Sequence, residues 1–302
     1  MKLRVKFRKY GAVRFIGHLD VMRFFQKAIR RAEIDVAYTS GFSPHQIMSF
    51  AAPLGVGMES NGEYMDIEVN QTLSSHEMVR RLNEVSVPGI EVVSVRQLPE
   101  EAGNAMASVA AASYTVRFRA GREPSSRYAE ELSSFLEQEQ ILMIKETKKG
   151  SREVDLKPGI FKLTALDGAI CMLVDASSSG NIKPSLLIQA LLQYNGEPLK
   201  ENALDQCLGD CLITREEMYQ NAAENSPERW ISLEDAGFDI VGTEIAGSDT
   251  AGSETTGSDM DGSDTTSNDI AGSKTIGSDT AGNDTAGSET VESKMEAADH
   301  EP

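Results

Sequence analysis

Large apolar side chains all but vanish from this chain after about Ile245. That break limits the fold more than any motif does, because a segment without them buries too little surface to offset the entropy of ordering its backbone. Residues 242–302 instead run as a degenerate repeat of about five residues, AGSDT, AGSET, TGSDM and DGSDT among them, built from Gly, Ser, Asp and Thr. Calcium-binding β-rolls also repeat Gly and Asp, but their core needs a large aliphatic residue at a fixed place, where this repeat has mostly Ala or Thr. The segment reads as a disordered acidic tail. The folded part is then about 240 residues, enough for two ordinary domains.

The tail also distorts the charge. The whole chain has 29 Lys and Arg against 47 Asp and Glu, a net of -18. Residues 243–302 hold fourteen of those carboxylates against Lys274 and Lys294, a net of -12 that leaves -6 on everything before them. Within residues 1–50 the sign reverses, with ten Lys and Arg against Asp20, Glu33 and Asp35. A basic amino-terminal part inside an acidic protein points to a polyanionic partner.

Three cysteines, Cys171, Cys207 and Cys211, are too few and too oddly spaced for a disulfide framework, which fits a reducing compartment. The opening MKLRVKFRKYG interleaves charge with apolar residues, unlike a signal peptide. No apolar run approaches the length needed to cross a bilayer. A cytoplasmic protein without a membrane partner is expected.

The periodicities give an element order. Residues 2–9 alternate, with Leu3, Val5 and Phe7 on one side and charges on the other, as in a strand with one wet face. A helix is expected over 18–32, with Leu19, Met22, Phe25, Ile29 and Ala32 as its buried stripe and Arg23, Lys27, Arg30 and Arg31 together on another face. Strands over 47–52 and 64–69 flank the Gly-rich PLGVGMESNG. Ser74 and Glu77 have capping-box form and start a second helix running to about Val85, before a strand at 91–98.

After a small, polar stretch at 99–111, the order repeats in enlarged form. It has a strand at 113–120, a helix from Pro124, strands at 141–146, 153–156, 160–166 and 169–175, a helix at 183–194 and a strand at 211–219. Asp167-Gly168 signals a tight hairpin. Strand, helix, strand, strand, helix, strand is the split βαβ order. The expected fold class is therefore α+β, with two ferredoxin-like domains in tandem. They span 1–98 and 112–220, joined by a linker at 99–111. A short segment at 221–241 carries the only tryptophan, Trp230, as a short helix packed back on the core, and the disordered acidic tail at 242–302 follows.

Two constellations suggest chemistry. His18 and Asp20 open the first helix and His45 follows a turn, so two imidazoles and a carboxylate would serve as a metal triad or as an acid and base for RNA cleavage. The plainer alternative is a dipole-stabilising Asp20 and a capping or packed His18. The second constellation is a phosphate-binding face made of Arg14, Arg23, Lys27, Arg30 and Arg31, with Tyr38, Phe42 and His45 nearby for base stacking and Ser40, Gly41 and Ser43 offering polar contacts. Its alternative is the wet side of an amphipathic helix. A second basic run, Lys145, Lys148, Lys149, Arg152 and Lys157, favours the nucleic-acid reading, since two basic surfaces would frame a cleft for an RNA backbone.

Gly55 and Gly57 belong to no nucleotide-binding fingerprint. Glu59, Glu63 and Asp66 read as solvent-facing carboxylates. Cys207 and Cys211 have the first spacing of a Cys-x3-Cys-x2-Cys cluster motif, but Thr214 stands where the third thiolate would be. No metal site is assigned.

The segments RFIGHLD, AYTSGFSPH, PLGVGMES and EYMDIEV, in that order, resemble the bacterial radical SAM-linked, or radical SAM-associated, proteins, a family described as a domain of unknown function. REVDLKPGI and NIKPSLLIQALL extend the resemblance to about Tyr219, and the tail lies outside it. The chain departs from the family pattern at Gln46-Ile47, where Pro-Lys is expected, which removes a lysine from the His45 loop. Family members are typically encoded beside, or fused to, a radical S-adenosylmethionine protein, and this chain resembles the stand-alone form.

The resemblance implies a radical SAM partner that itself carries an iron–sulfur cluster and S-adenosylmethionine, with no cofactor in this chain. The combined expectation is an accessory RNA-binding protein, for tRNA or rRNA and not DNA, more a binding protein than an enzyme. Two alternatives stay open. One is an RNA-processing or metal-dependent enzyme using His18, Asp20 and His45; the other is a scaffold that binds only protein. A fainter likeness, to paired ferredoxin-like RNA-binding proteins that include CRISPR endonucleases, is fold analogy and transfers no residue.

Overall fold

The computed structural model describes residues 1–124, 127–147, 150–197, 209–222 and 229–242. Strand β1 (Lys2–Lys9) places Leu3, Val5 and Phe7 fully inside. They pack in one apolar cluster with Phe25 and Ile29 of α1 (His18–Arg31) and Met78 and Leu82 of α2 (Ser75–Glu84). β3 (Glu59–Glu68) runs antiparallel to β1 on one side and β4 (Ile90–Gln97) antiparallel on the other. The short β2 (Met48–Phe50) joins the far end of β3, Met48 opposite Ile67.

The wet face expected for β1 is covered. Arg4 is only 1% exposed, its Nε and Nη2 donating to the Asp66 carboxylate at 2.8 and 3.1 Å and its Nη1 to the carbonyl of Leu233 at 3.2 Å.

Helix α1 has no side-chain cap at Gly17, but Asp20 in its first turn and Arg30 and Arg31 in its last complement the helix dipole. Its buried residues are Val21, Phe25, Ala28 and Ile29, whereas Leu19, expected in the stripe, is 60% exposed. Six residues from Phe25 put Leu19 about 120° round the helix, too far to share its face. In α2 the Ser74 hydroxyl accepts from the Glu77 N–H at 3.2 Å. The Glu77 carboxylate does not return to Ser74 as a capping box would have it. It takes hydrogen bonds from Arg80 and Arg81, which hold its pKa down to about 2.

Past β4, the expected linker is partly helical, because the Asn104 side chain caps α3 (Ala105–Ser108) and the Ala105 N–H donates to Asp66 at 2.7 Å. Then come β5 (Ala111–Phe118), α4 (Leu132–Glu137), the hairpin β6 (Leu142–Thr147) and β7 (Gly150–Asp155), β8 (Ile160–Leu166), β9 (Ala169–Asp175), α5 (Pro184–Tyr194), β10 (Cys211–Asn221) and β11 (Trp230–Ser232). Asp167 and Gly168 both take positive φ, 50° and 72°, in the tight turn between β8 and β9. α4 begins well after Pro124, and Tyr128, expected on that helix, lies edge-on to Phe118 with ring centres 5.2 Å apart.

Strands β10, β5, β9 and β8 lie side by side in that order, each antiparallel to the next. At the seam, Glu59 and Ser60 of β3 pair in parallel with Thr214 and Arg215 of β10. Among the described residues the result is one sheet of nine strands, with β6 and β7 forming a separate pair. The molecule is mixed α+β, built on this large sheet, and Met1–Ala246 forms one compact unit.

Residues 229–242 are not the expected helix. β11 extends the sheet along the end of β10, and the Leu233 N–H donates to Met218. The chain then crosses to the other half of the sheet. Glu234 accepts from Lys6 at 2.8 Å, Phe238 exchanges two backbone bonds with Gln97, and Ile240 exchanges bonds with Ser75. This strap covers the face of β1 that carries Arg4 and Lys6. Among the described residues no helix is long and apolar enough to cross a membrane. The acidic tail lies outside the described residues.

Candidate functional site

Arg23, Lys27, Arg30 and Arg31 are all exposed on α1, on the side away from Phe25. Among the described residues a single ion pair touches this face, Arg23 with Asp20 at 3.3 Å, both more than half exposed and therefore worth little. The His45 loop stands beside it. Tyr38 and Gln46 bridge at its base, and the buried Gln46 side chain donates from Nε2 to the carbonyl of Gln26 in α1 at 3.3 Å. Gln26 lies three residues after Arg23 and four before Arg30, so all three share one flank of the helix. The loop is therefore pinned alongside the arginines.

Its tip, with Ser40, Gly41, Phe42 and Ser43, is open to solvent, and the Phe42 ring is wholly exposed. Leaving that ring out of any core forgoes about 1.5–3 kcal/mol. Tyr38 is half exposed. His45 is exposed, with its N–H donating to the Thr39 hydroxyl at 3.1 Å and its Nδ1 3.1 Å from the same oxygen.

Arg14 is not part of this face. Its Nη1 donates to Glu59 at 2.9 Å and its guanidinium lies 4.8 Å from the Phe15 ring centre, so it fixes a carboxylate at the seam. Of the second basic run, Arg152 is exposed on β7 opposite Lys145, which donates to the carbonyl of Asn181 at 3.2 Å, and Lys157 bonds the carbonyl of Leu136. Lys148 and Lys149 lie outside the described residues, as does Cys207.

His18, Asp20 and His45 do not assemble. His18 turns inward, edge-on to Phe50 with ring centres 5.0 Å apart, while Asp20 faces out to Arg23 and His45 belongs to the loop. Among the described residues no group of three or more His, Cys, Asp and Glu is placed to hold a metal ion. The shared-metal reading of these three is corrected accordingly: His18, as the first residue of α1, follows the core side of the helix.

A second cluster escaped the sequence reading. Glu63, expected in solvent, is 6% exposed and accepts from Arg215 Nη1 at 2.9 Å; Arg215 is equally buried, its Nε 3.3 Å from the Tyr114 hydroxyl. Burial pushes the Glu63 carboxyl above its ordinary range, with Arg215 pulling the other way. Lys9, 3% exposed, donates to the carbonyl of Arg14 at 3.2 Å, and burial lowers its pKa. Lys9, Glu63 and His18 line a cavity of about 10 Å³, room for no more than a water. The signal was present in parity. Lys9 follows Leu3, Val5 and Phe7, and Glu63 precedes Met65 and Ile67, at steps of two that keep a strand residue on the same face.

A family model described as "uncharacterized protein conserved in bacteria (DUF2344)" matches residues 2–184. The chain belongs to this family. The DUF2344 match runs from β1 to the first residue of α5, so it includes the α1 face, the His45 loop and Glu63, while Arg215 and the strap follow it. No curated protein matches the chain. Among solved structures, a dye-decolorizing protein from V. cholerae is similar at 12% identity over 71% of this chain and 90% of that one. Its TM-score of 0.17 is too low to establish a shared fold.

Proposed function

We propose that this protein is a cytoplasmic, non-catalytic partner of a radical S-adenosylmethionine enzyme that holds an RNA, tRNA or rRNA, for modification. Arg23, Lys27, Arg30 and Arg31 would grip the phosphate backbone, and Tyr38, Phe42 and His45 would contact an unstacked base. The observation that supports this reading is the Gln46 to Gln26 hydrogen bond, which pins the loop of the fully exposed Phe42 to α1. Among the described residues the exposed arginines of that helix make only the weak Arg23–Asp20 pair and the Arg30 Nε bond to the Gln26 carbonyl at 3.2 Å. The radical SAM partner, with its cluster and S-adenosylmethionine, rests on the sequence resemblance. In the same spirit, the runs β1-α1-β2-β3-α2-β4 and β5-α4-β8-β9-α5-β10 are read as paired ferredoxin-like units, the second enlarged by the β6–β7 hairpin. In each, the fourth strand flanks the first and the third lies between the first and the second.

The test is RNA binding by the Arg23→Glu/Arg30→Glu variant, measured by fluorescence anisotropy across a salt series. Affinity should drop at least about tenfold, and the slope of log K against log salt should flatten by about one to two. Circular dichroism and the melting temperature should not change. Binding retained at an unchanged slope would sink the α1 face as the RNA surface, and no affinity of the native protein for any RNA would favour the protein-only scaffold.

A further inference from the structure

The face of the sheet turned away from α5 carries a site of different character. Alternation along β5 and β10 sends Tyr114, Val116, Ile213 and Arg215 inside, and therefore Thr115, Arg117, Thr214 and Glu216 to the reverse face. At the seam β3 adds Glu59 and Asn61, and Tyr10, just past β1, forms a wall. Together they bound an open cleft of about 310 Å³, near the lower limit for sites that take a small organic ligand.

The two carboxylates are held in the same way. Glu59 Oε1 accepts from the Gly11 N–H at 3.1 Å and from Arg14 at 2.9 Å, and Glu216 Oε2 accepts from Asn61 Nδ2 at 2.7 Å. Among the described residues the second oxygen of each has no donor, so two fixed acceptors remain for a ligand. Arg14 neutralises Glu59, and Arg117, which donates to the carbonyl of Asp167 at 2.8 Å, brings a second positive charge to the lining; the near balance disfavours a phosphate or a bare cation and favours a neutral ligand rich in hydroxyl donors. Thr214, opposite Glu59, and Thr115, opposite Thr214, add two hydroxyls to the lining. The Tyr10 ring, 43% exposed, is free to take a flat partner on its face.

We propose that this cleft binds a ribonucleoside through its vicinal diol, the two ribose hydroxyls donating to the unbonded oxygens of Glu59 and Glu216 and the base lying against Tyr10. An acidic side chain accepting from a ribose hydroxyl is established recognition chemistry. A vicinal diol occurs on a free ribonucleoside and at the 3′ end of an RNA, but not inside a chain, where the 3′ oxygen is esterified. The site does not depend on the α1 face.

The experiment titrates the full-length protein with adenosine, uridine, guanosine and cytidine, with their 2′-deoxy forms, and with a short RNA bearing either a free or a phosphorylated 3′ end, followed by NMR line broadening and calorimetry. At least one ribonucleoside or the free-ended RNA should bind, and the deoxy or 3′-phosphorylated counterpart at least about tenfold more weakly. Glu216→Gln should weaken diol binding to a similar degree, and Arg23→Glu/Arg30→Glu should leave nucleoside binding unchanged and preserve the ratio between free-ended and 3′-phosphorylated RNA. In the Arg23→Glu/Arg30→Glu background, where the α1 face no longer holds RNA, tighter binding of the free-ended RNA than of any nucleoside would identify the RNA end as the source of the diol, and the reverse a free nucleoside. Equal binding of deoxy and ribo forms would overturn the proposal, as would no binding of either kind up to about 10 mM.

Discussion

Glu63 and Arg215 show what one buried pair does to a protein of this size. Removing one partner leaves the other charged and out of reach of water, so Glu63→Gln should cost about 3–5 kcal/mol in chemical denaturation, a large part of the 5–15 kcal/mol typical of a folded domain. Replacing both, as Glu63→Leu with Arg215→Met, should recover part of that loss, because Arg215 is then no longer left unpaired, while the buried Lys9 still loses the carboxylate beside it. A double variant as unstable as the single one would show that the pair holds the seam by geometry and not only by charge balance. At this scale the sequence was legible where a residue's surroundings are local. The exposure of Arg23, Lys27, Arg30 and Arg31 followed from helical spacing, and Ser74 as a cap from its neighbours. Strand parity marked Glu63 for burial, but the partners that make burial of Glu63 and Asp66 tolerable, Arg215 and Arg4, stand 152 and 62 positions away in sequence, beyond any local pattern.

Among the elements, the seam between β3 and β10 is the most demanding junction. Gly62 sits against it so closely that an added Cβ would come within 2.9 Å of the Glu216 carbonyl oxygen and 3.1 Å of the Glu217 Cα. Backbone atoms have no rotamer by which to yield, so Gly62→Ala should destabilise the protein by about 1–3 kcal/mol. Thermal unfolding reads this directly, and an unchanged melting temperature would mean that the two strands separate at little cost. β1, α1, α2, α5 and the β8–β9 hairpin were all legible as periodic runs with capping or turn residues at their ends. α4 was expected too early, since Pro124 offered a start signal while the apolar contacts that hold the helix begin at Leu132 and Phe135. Trp230 suggested a packed helix, yet the end of β10 offers unpaired backbone groups, and a strand satisfies them better.

For the whole molecule the acidic repeat sets the long-range field. Ending the chain at residue 242 would change the net charge from -18 to -6. Less repulsion of a polyanion should tighten RNA binding at low salt, with the difference fading as ionic strength rises past about 0.15 M. Anisotropy titrations of the two forms would check this, and equal affinity at low salt would deny the tail any electrostatic part. The mixture of helices and strands was legible in the chain, but the joining of β3 and β10 into one sheet was not, because two parallel pairs at Glu59 and Ser60 leave no pattern in the sequence around either strand. The strap has a further consequence in time. A ribosome releases Arg4 more than two hundred residues before Leu233, the carbonyl on which that guanidinium closes. The first strand thus meets Asp66 early but waits for its cover until the strap emerges, and a nascent chain halted before residue 229 would be a ready client for a chaperone.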